Sequence, residues 1–245
     1  MWSYLRLAFS FLTILPVGRI EDCTPERLQR SAAFFPLVGW LIGLLLVSLA
    51  WAVGGAGATP LISGVLLVIF DAFLTRGLHL DGVADFLDGL GGADREQRLS
   101  IMKDSTVGVF GVVGLVLSLF LKIFCTAALL ENVLFPLPII IAPAAARWAM
   151  VLLAFAGRYP REAGTGHAFV GQIRKQDLAV GGLVLLPAFF FGLHGIVTVA
   201  AALLPALWLH KKAKQALGGV TGDVLGASCV FGEAAGLLAA SLMIL

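Results

Sequence analysis

Residues 60–89 read PLISGVLLVIFDAFLTRGLHLDGVADFLDG, an apolar run that ends in a histidine, glycines and a cluster of aspartates. The first part is as hydrophobic as a membrane span. The second carries Asp81, Asp85 and Asp88 at i, i+4 and i+7. On a helix, at about 100° per residue, they fall within roughly 60° of arc and ~10 Å of axis on one face. Three like charges on one face repel unless a cation sits among them. A hard divalent ion such as Mg²⁺, which takes carboxylate and phosphate oxygens together, is the natural occupant. A solvated acidic turn at a membrane surface would account for the charges, but not for the histidine and glycines collected with them.

Outward from this segment, the composition sets the class. The 245 residues are 59% hydrophobic and only 13% charged, with a mean hydropathy of +0.97, far outside the range of a soluble domain. This predicts an all-α fold, a polytopic integral membrane helical bundle in which residues 1–245 form a single membrane-embedded domain. Apolar runs of bilayer length suggest seven spans, at about 34–53, 60–78, 107–130, 134–157, 178–193, 195–210 and 219–244. The fifth and sixth are short, and a turn at Gly192 to Gly195 separates them. The first 20 residues resemble a signal peptide, but Pro16 interrupts them and no small-residue cleavage site follows. They read as an N-terminal interfacial helix.

Fifteen of the 17 basic residues fall on one side of this arrangement, and the turns around Gly54 to Thr59, Glu131 to Asn132 and His194 carry none. The positive-inside rule makes that side cytoplasmic, so the aspartates face the cytoplasm and the C-terminus lies outside. The other two basic residues, Lys122 and Arg147, fall inside spans together with Asp71 and Glu233. Such charges mark either function or a buried ion pair. Glycines four apart, at Gly39 and Gly43, at Gly218, Gly222 and Gly226, and at Gly232 and Gly236, suit close helix packing. Cys23, Cys125 and Cys229 have neither disulfide nor zinc spacing. Phosphate-loop, nucleophile-elbow and zincin motifs are absent, and no feature calls for a nucleic acid.

Three further segments share the basic side. Lys103 and Asp104 precede the third span, where a lysine can meet a phosphate and an aspartate can complete a metal site; a plain helix cap is the simpler alternative. Residues 218–227, GGVTGDVLGA, offer glycines for close backbone approach, with Thr221 and Gly222 beside an Asp223 that needs a cation or hydroxyl partner at that depth. The loop 158–171, RYPREAGTGHAFVG, is basic and glycine-rich, suited to a phosphate or to a lipid surface. A base near neutral pKa is best placed to take a proton from an attacking hydroxyl. His79, Asp88 and Asp223 are the candidates, and His79 reaches the aspartate face only if Gly77 or Gly82 bends the backbone.

The motifs Leu-His-Leu-Asp-Gly-x-x-Asp-x-x-Asp-Gly at 78–89, Met-Lys-Asp-Ser-x-x-Gly at 102–108 and Gly-x-Thr-Gly-Asp-x-x-Gly-Ala at 219–227 occur in this order, with Phe35 to Gly39 and Ala146-Arg147-Trp148. Over nearly the whole chain they resemble the cobalamin synthase family of adenosylcobinamide-GDP ribazoletransferases. Arg76 departs from that pattern, where glycine is common. The resemblance implies a Mg²⁺-dependent enzyme of the bacterial cytoplasmic (inner) membrane. It would transfer the adenosylcobinamide phosphate group from adenosylcobinamide-GDP to the 5′-hydroxyl of α-ribazole or its 5′-phosphate, releasing GMP. Asp81, Asp85, Asp88 and Asp104 would bind metal; His79, Asp88 and Lys103 would act in catalysis; Arg147, Thr221, Gly222 and Asp223 would contact substrate. Membrane lipid surrounds such a protein, and its homo-oligomeric state stays open. A lipid-making CDP-alcohol phosphotransferase is disfavoured because Ala84 is followed by Asp85 where that family has arginine. An ion-coupled transporter would place acids at the midplane of interrupted helices instead of at one face.

Overall fold

The computed structural model of the chain describes residues 1–20, 23–131 and 136–243. All regular structure among them is helical. Helix α1 (Trp2–Leu12) buries Leu7, Ala8 and Leu12 and is the expected N-terminal amphipathic helix. Helix α2 (Pro25–Ser31) starts under Thr24, whose hydroxyl accepts the Arg27 N–H at 3.3 Å, and runs through a 3₁₀ turn into α3 (Phe35–Gly55). Helix α4 (Pro60–Leu74) turns by 90° into α5 (Leu78–Gly89). Then follow α6 (Arg95–Ile101), α7 (Val109–Glu131), α8 (Leu137–Ala156), α9 (Lys175–Leu185), α10 (Gly192–Leu217) and α11 (Gly222–Ser241).

Among the described residues five stretches are long and apolar enough to cross a membrane, or six if the bent α4–α5 pair is counted as one, where the sequence suggests seven. Two expected spans fall short. Helix α4 has 15 residues, about 22 Å at 1.5 Å per residue, against a hydrocarbon core of ~30 Å. Helix α9 has 11 and continues through a 3₁₀ segment, Leu186–Phe191, into the same apolar stretch as α10. The turn expected at Gly192 is a chain reversal: Gly192 adopts φ 61° and Gly195 is pressed against the Ala188 carbonyl.

Helix α8 is the centre of the bundle. Gly39 and Gly43 of α3 abut its backbone at Pro143–Ala144 and at Ile140, while Gly232 and Gly236 let α11 close on α10 at Ala202 and Thr198. A Cβ at Gly39, Gly43 or Gly232 would collide with backbone and one at Gly236 would crowd it, so these four glycines are contacts between spans, whereas Gly218, Gly222 and Gly226 meet Arg95, the 165–166 segment and α5.

The intramembrane charges pair with one another. Lys122 of α7 donates to Asp71 of α4 at 2.6 Å and to Glu233 of α11 at 2.5 Å. Arg147 of α8 donates to Glu233 at 2.6 Å and to the Pro143 carbonyl at 3.0 Å. Two cations and two anions cancel in a quartet that ties four helices together. Removing one member would leave an uncompensated buried charge, at a cost of about 3–5 kcal/mol. The Glu233→Ala protein should therefore melt well below the parent in detergent, and a melting temperature equal to the parent's would show that the quartet contributes nothing.

Candidate active site

The basic loops gather at one end of the bundle. Arg95 donates to the Leu217 carbonyl at 2.9 Å and to the Pro160 carbonyl at 3.0 Å, Arg98 donates to the Ala216 carbonyl at 3.3 Å, and the Gln29 side chain donates to the Gln172 carbonyl. Across this end, at right angles to α4, lies α5. It crosses α11 with Gly82 on the Asp223 carbonyl and Gly226, and it meets α7 with Ala84 on Gly111 and Leu87 on Gly114.

The segment 218–223 is shaped by its sequence. Gly218 ends α10 at φ 76°, and Gly219 fits tightly under the Arg158 carbonyl, which accepts the Val220 N–H at 2.8 Å. Thr221 caps α11, accepting the Val224 N–H at 3.3 Å and donating to Asp223 Oδ2 at 3.1 Å. Asp223 therefore stands in the first turn of α11, facing α5. Arg161, from the loop 157–164, brings Nη1 to 3.4 Å from Asp223 Oδ2, while its buried Nε and Nη2 find no hydrogen-bond partner among the described residues.

Beside these groups lies a cavity of about 220 Å³, which Gly222 and Asp223 border. His79, Asp81, Thr165, Gly166, Gly222 and Asp223 form its polar wall, and Phe11, Phe35, Met150, Phe169 and Ile173 are among its apolar lining. Asp85 lies beside it. Its carboxyl is pushed up to about 7, first by burial and then by repulsion from Asp81, Asp223 and Asp88, with Arg161 opposing. Burial and the neighbouring carboxylates together disfavour its charged form.

Not every expected residue is at this cavity. Asp88 is a helix cap: its Oδ2 accepts the Gly108 N–H at 2.7 Å and its Oδ1 the Gly111 N–H at 2.8 Å. The free N–H groups at the start of α7 need an acceptor, and a carboxylate there also meets the positive end of the helix dipole. Asp104 is exposed, folds onto the Thr106 N–H at 2.9 Å and hydroxyl at 2.8 Å, and is held below the usual carboxylate range by those bonds. It does not border the cavity, nor does the exposed Lys103. Arg147, expected either at the ligand or on an intramembrane acid, takes the second place.

His79 lines the cavity although α5 is a continuous helix, because its face packs on α11 at Gly226. Burial, then Arg147 and, more weakly, Lys122, pull its pKa down to about 3, with Glu233 opposing. It is a neutral imidazole, too weak a base for the expected role near pH 7. Among the described residues, no three His, Cys, Asp or Glu side chains close into a ready-made metal cage. Arg161 was not singled out from the sequence. Its only signal was the basic, glycine-rich loop that carries it.

Helices long and apolar enough to cross a membrane carry an acidic cavity at one end of the bundle, and relatives give the class. Residues 4–241 match the family described as Cobalamin-5-phosphate synthase. The chain is 40% identical to an adenosylcobinamide-GDP ribazoletransferase of Syntrophobacter fumaroxidans over 93% of both chains. It is 40% identical to one of Pseudomonas aeruginosa over 97% of both, and 38% identical to one of Geotalea daltonii over 90% of this chain and 89% of the relative. The chain belongs to the cobalamin-5-phosphate synthase family. No solved structure matches it.

The two roles of α5 carboxylates separate by stability. Asp85 has a raised pKa, so its contribution is intact below about pH 4 and is lost as pH rises through about 7. In chelator, Asp85→Asn should melt above the parent at pH 8, the two converging below pH ~4. Asp88→Ala should be less stable than the parent at pH 8 by about 0.5–2 kcal/mol, the worth of a cap. A stabilised Asp88→Ala protein would refute the capping role.

Proposed function

We propose that this chain transfers the adenosylcobinamide phosphate group from adenosylcobinamide-GDP to a ribose hydroxyl of α-ribazole or its 5′-phosphate, releasing GMP. Family membership supports the substrates. The observation that carries the chemistry is the convergence of Asp81 and Asp223 on one cavity, with Arg161 held against Asp223 and Asp85 beside them. The family description, a cobalamin 5-phosphate, implies a product whose 5′ oxygen keeps its own phosphate. With that substrate the attacking group is a ring hydroxyl and not the 5′-hydroxyl expected from the sequence. By the positive-inside rule the cavity faces the cytoplasm of a bacterial inner membrane.

In the reaction, the ribose oxygen forms a bond to the phosphorus that bears cobinamide. The bond from that phosphorus to the bridging oxygen breaks, and GMP leaves with the electron pair. Arg161 offers two unused N–H donors to the non-bridging oxygens, the bidentate geometry a guanidinium makes with phosphate. The proton passes to an aspartate of the cluster, since His79 is too weakly basic and both Asp88 oxygens are bonded to α7.

Mg²⁺ fits this donor set. It is ordinarily held by one or two carboxylates with substrate phosphates completing the shell, and Asp81, Asp85 and Asp223 repel one another without it. When bound it would neutralise the diphosphate and the departing GMP.

The test is the purified protein in liposomes with adenosylcobinamide-GDP, α-ribazole and Mg²⁺, read as GMP and completed corrinoid. Chelator should abolish both, and turnover in excess chelator would remove the metal from the scheme. Arg161→Ala should lose about 10²-fold in kcat/KM, the usual effect of deleting a donor to developing charge. Lys103→Ala should stay near the parent rate, and the opposite ranking would move the phosphate to the α7 loop.

A further inference from the structure

The cavity has a second half that the chemistry above leaves unused. Its charged and titratable lining, His79, Asp81 and Asp223, comes from α5 and α11 alone. The other end is bounded by Phe11 of α1, Ala32 and Phe35 at the start of α3, and Phe169 and Ile173 of the loop after the Arg161 segment. Phe11 and Phe35 lie nearly parallel, 9° apart with centroids at 6.0 Å. Phe169 tilts against them, with its centroid 5.2 Å from Phe11 and 5.5 Å from Phe35. Three rings that only filled a core would close on one another; these three also border open space.

We infer that this aromatic end is the seat of a flat, apolar heteroaromatic ring, the base of the acceptor nucleoside, and that Phe169 and Phe11 determine which bases it accepts. The inference rests on the transferase reading and assigns the cavity between its two substrates. Size comes first. A volume of about 220 Å³ is below the ~300–1,000 Å³ of sites for drug-sized ligands, so a corrin ring must stay outside. The smaller substrate, a nucleoside, is what enters.

Polarity then orients it. The sugar hydroxyls belong at the Asp81 and Asp223 wall, and the base falls at the phenylalanines. Stacked or edge-on aromatic contact favours a bicyclic ring there. None of the residues lining that end carries a charged side chain to meet a polar edge, so a base with exocyclic amino groups, such as adenine, would bury donors without partners. The seat therefore selects a benzimidazole-type base over a purine. Phe11 is held in register by Arg76, whose Nη2 donates to the Ser10 and Phe11 carbonyls at 3.2 Å each. The elbow that turns the aspartates to this face thus also fixes one wall of the seat.

The full-length protein in liposomes tests this with two readouts, steady-state GMP release and equilibrium dialysis of α-ribazole alone. In Phe169→Leu and Phe11→Leu, which keep apolar bulk, KM for α-ribazole and its dissociation constant should rise about five- to tenfold, as expected for a lost aromatic contact. KM for adenosylcobinamide-GDP should stay unchanged, and the preference for α-ribazole over the adenine riboside should shrink. Unchanged nucleoside binding in both variants overturns the seat, as does a rise confined to the corrinoid nucleotide. If the parent binds α-ribazole and Phe169→Leu weakens it while no GMP ever appears, the seat stands and the transferase reading falls.

Discussion

The site depends on a backbone elbow that takes two residues to make. Arg76 and Gly77 both adopt left-handed φ, 56° and 64°, and between them α4 stops and α5 departs at 90°. The Gly77 N–H bonds back to the Ala72 carbonyl at 2.8 Å, the six-to-one closure of a helix end that favours glycine in its left-handed position. Here that conformation is also imposed on an arginine, at a cost of roughly 1–2 kcal/mol. Two hydrogen bonds to the end of α1, each worth about 0.5–1.5 kcal/mol, offset it. The Ile14 N–H also reaches the Leu74 carbonyl, at 2.9 Å. Helix α1 and the elbow therefore brace each other. Without the turn, α4 would continue straight and carry Asp81, Asp85 and Asp88 along its own axis instead of across the end of the bundle.

Two populations of charge follow, and their balance separates structure from chemistry. Inside the bundle, Asp71, Lys122, Arg147 and Glu233 sum to zero and bond to one another. At the end of the bundle, Asp81, Asp85 and Asp223 face a single guanidinium, so that cluster is short of positive charge. The quartet compensates itself, whereas burial, with repulsion from Asp81, Asp223 and Asp88, lifts Asp85 to about 7. His79 stands between the two populations and is kept uncharged, chiefly because its burial in the helix contacts around α5 disfavours the imidazolium.

What could be read from the sequence is what depends on local periodicity. The helical face of the aspartates, the apolar class, the one-sided arginines and lysines, and the reversal at Gly192 are all matters of spacing along the chain. What escaped it depends on partners distant in the sequence. Asp88 lies on the same helical face as Asp81 and Asp85, and only the approach of α7 turns it into a cap 20 residues away. Lys103 and Asp104 lie on the loop into α7, yet Asp104 bonds locally to Thr106. Arg161 was one arginine among several in a basic loop, and only its contact with Asp223, 62 residues on, distinguishes it. The shortness of α4 was hidden because the apolar run continues past the point where the backbone turns.

The same long-range contacts explain why α5 can hold like charges at all. It is fixed at three places: at its start by the elbow, in the middle where Gly82 crosses Gly226 backbone to backbone, and near its end where Asp88 caps α7. Each fixture excludes a side chain or consumes a polar group, which accounts for the glycines and for the third aspartate of the motif. Repulsion among Asp81, Asp85 and Asp223 then cannot relax by swinging α5 away, and the strain is retained as affinity for positive charge. Arg161 is different, since it arrives on a segment without regular structure. The carboxylates of α5 thus form a fixed frame, and the guanidinium beside Asp223 is carried on a segment that no helix holds.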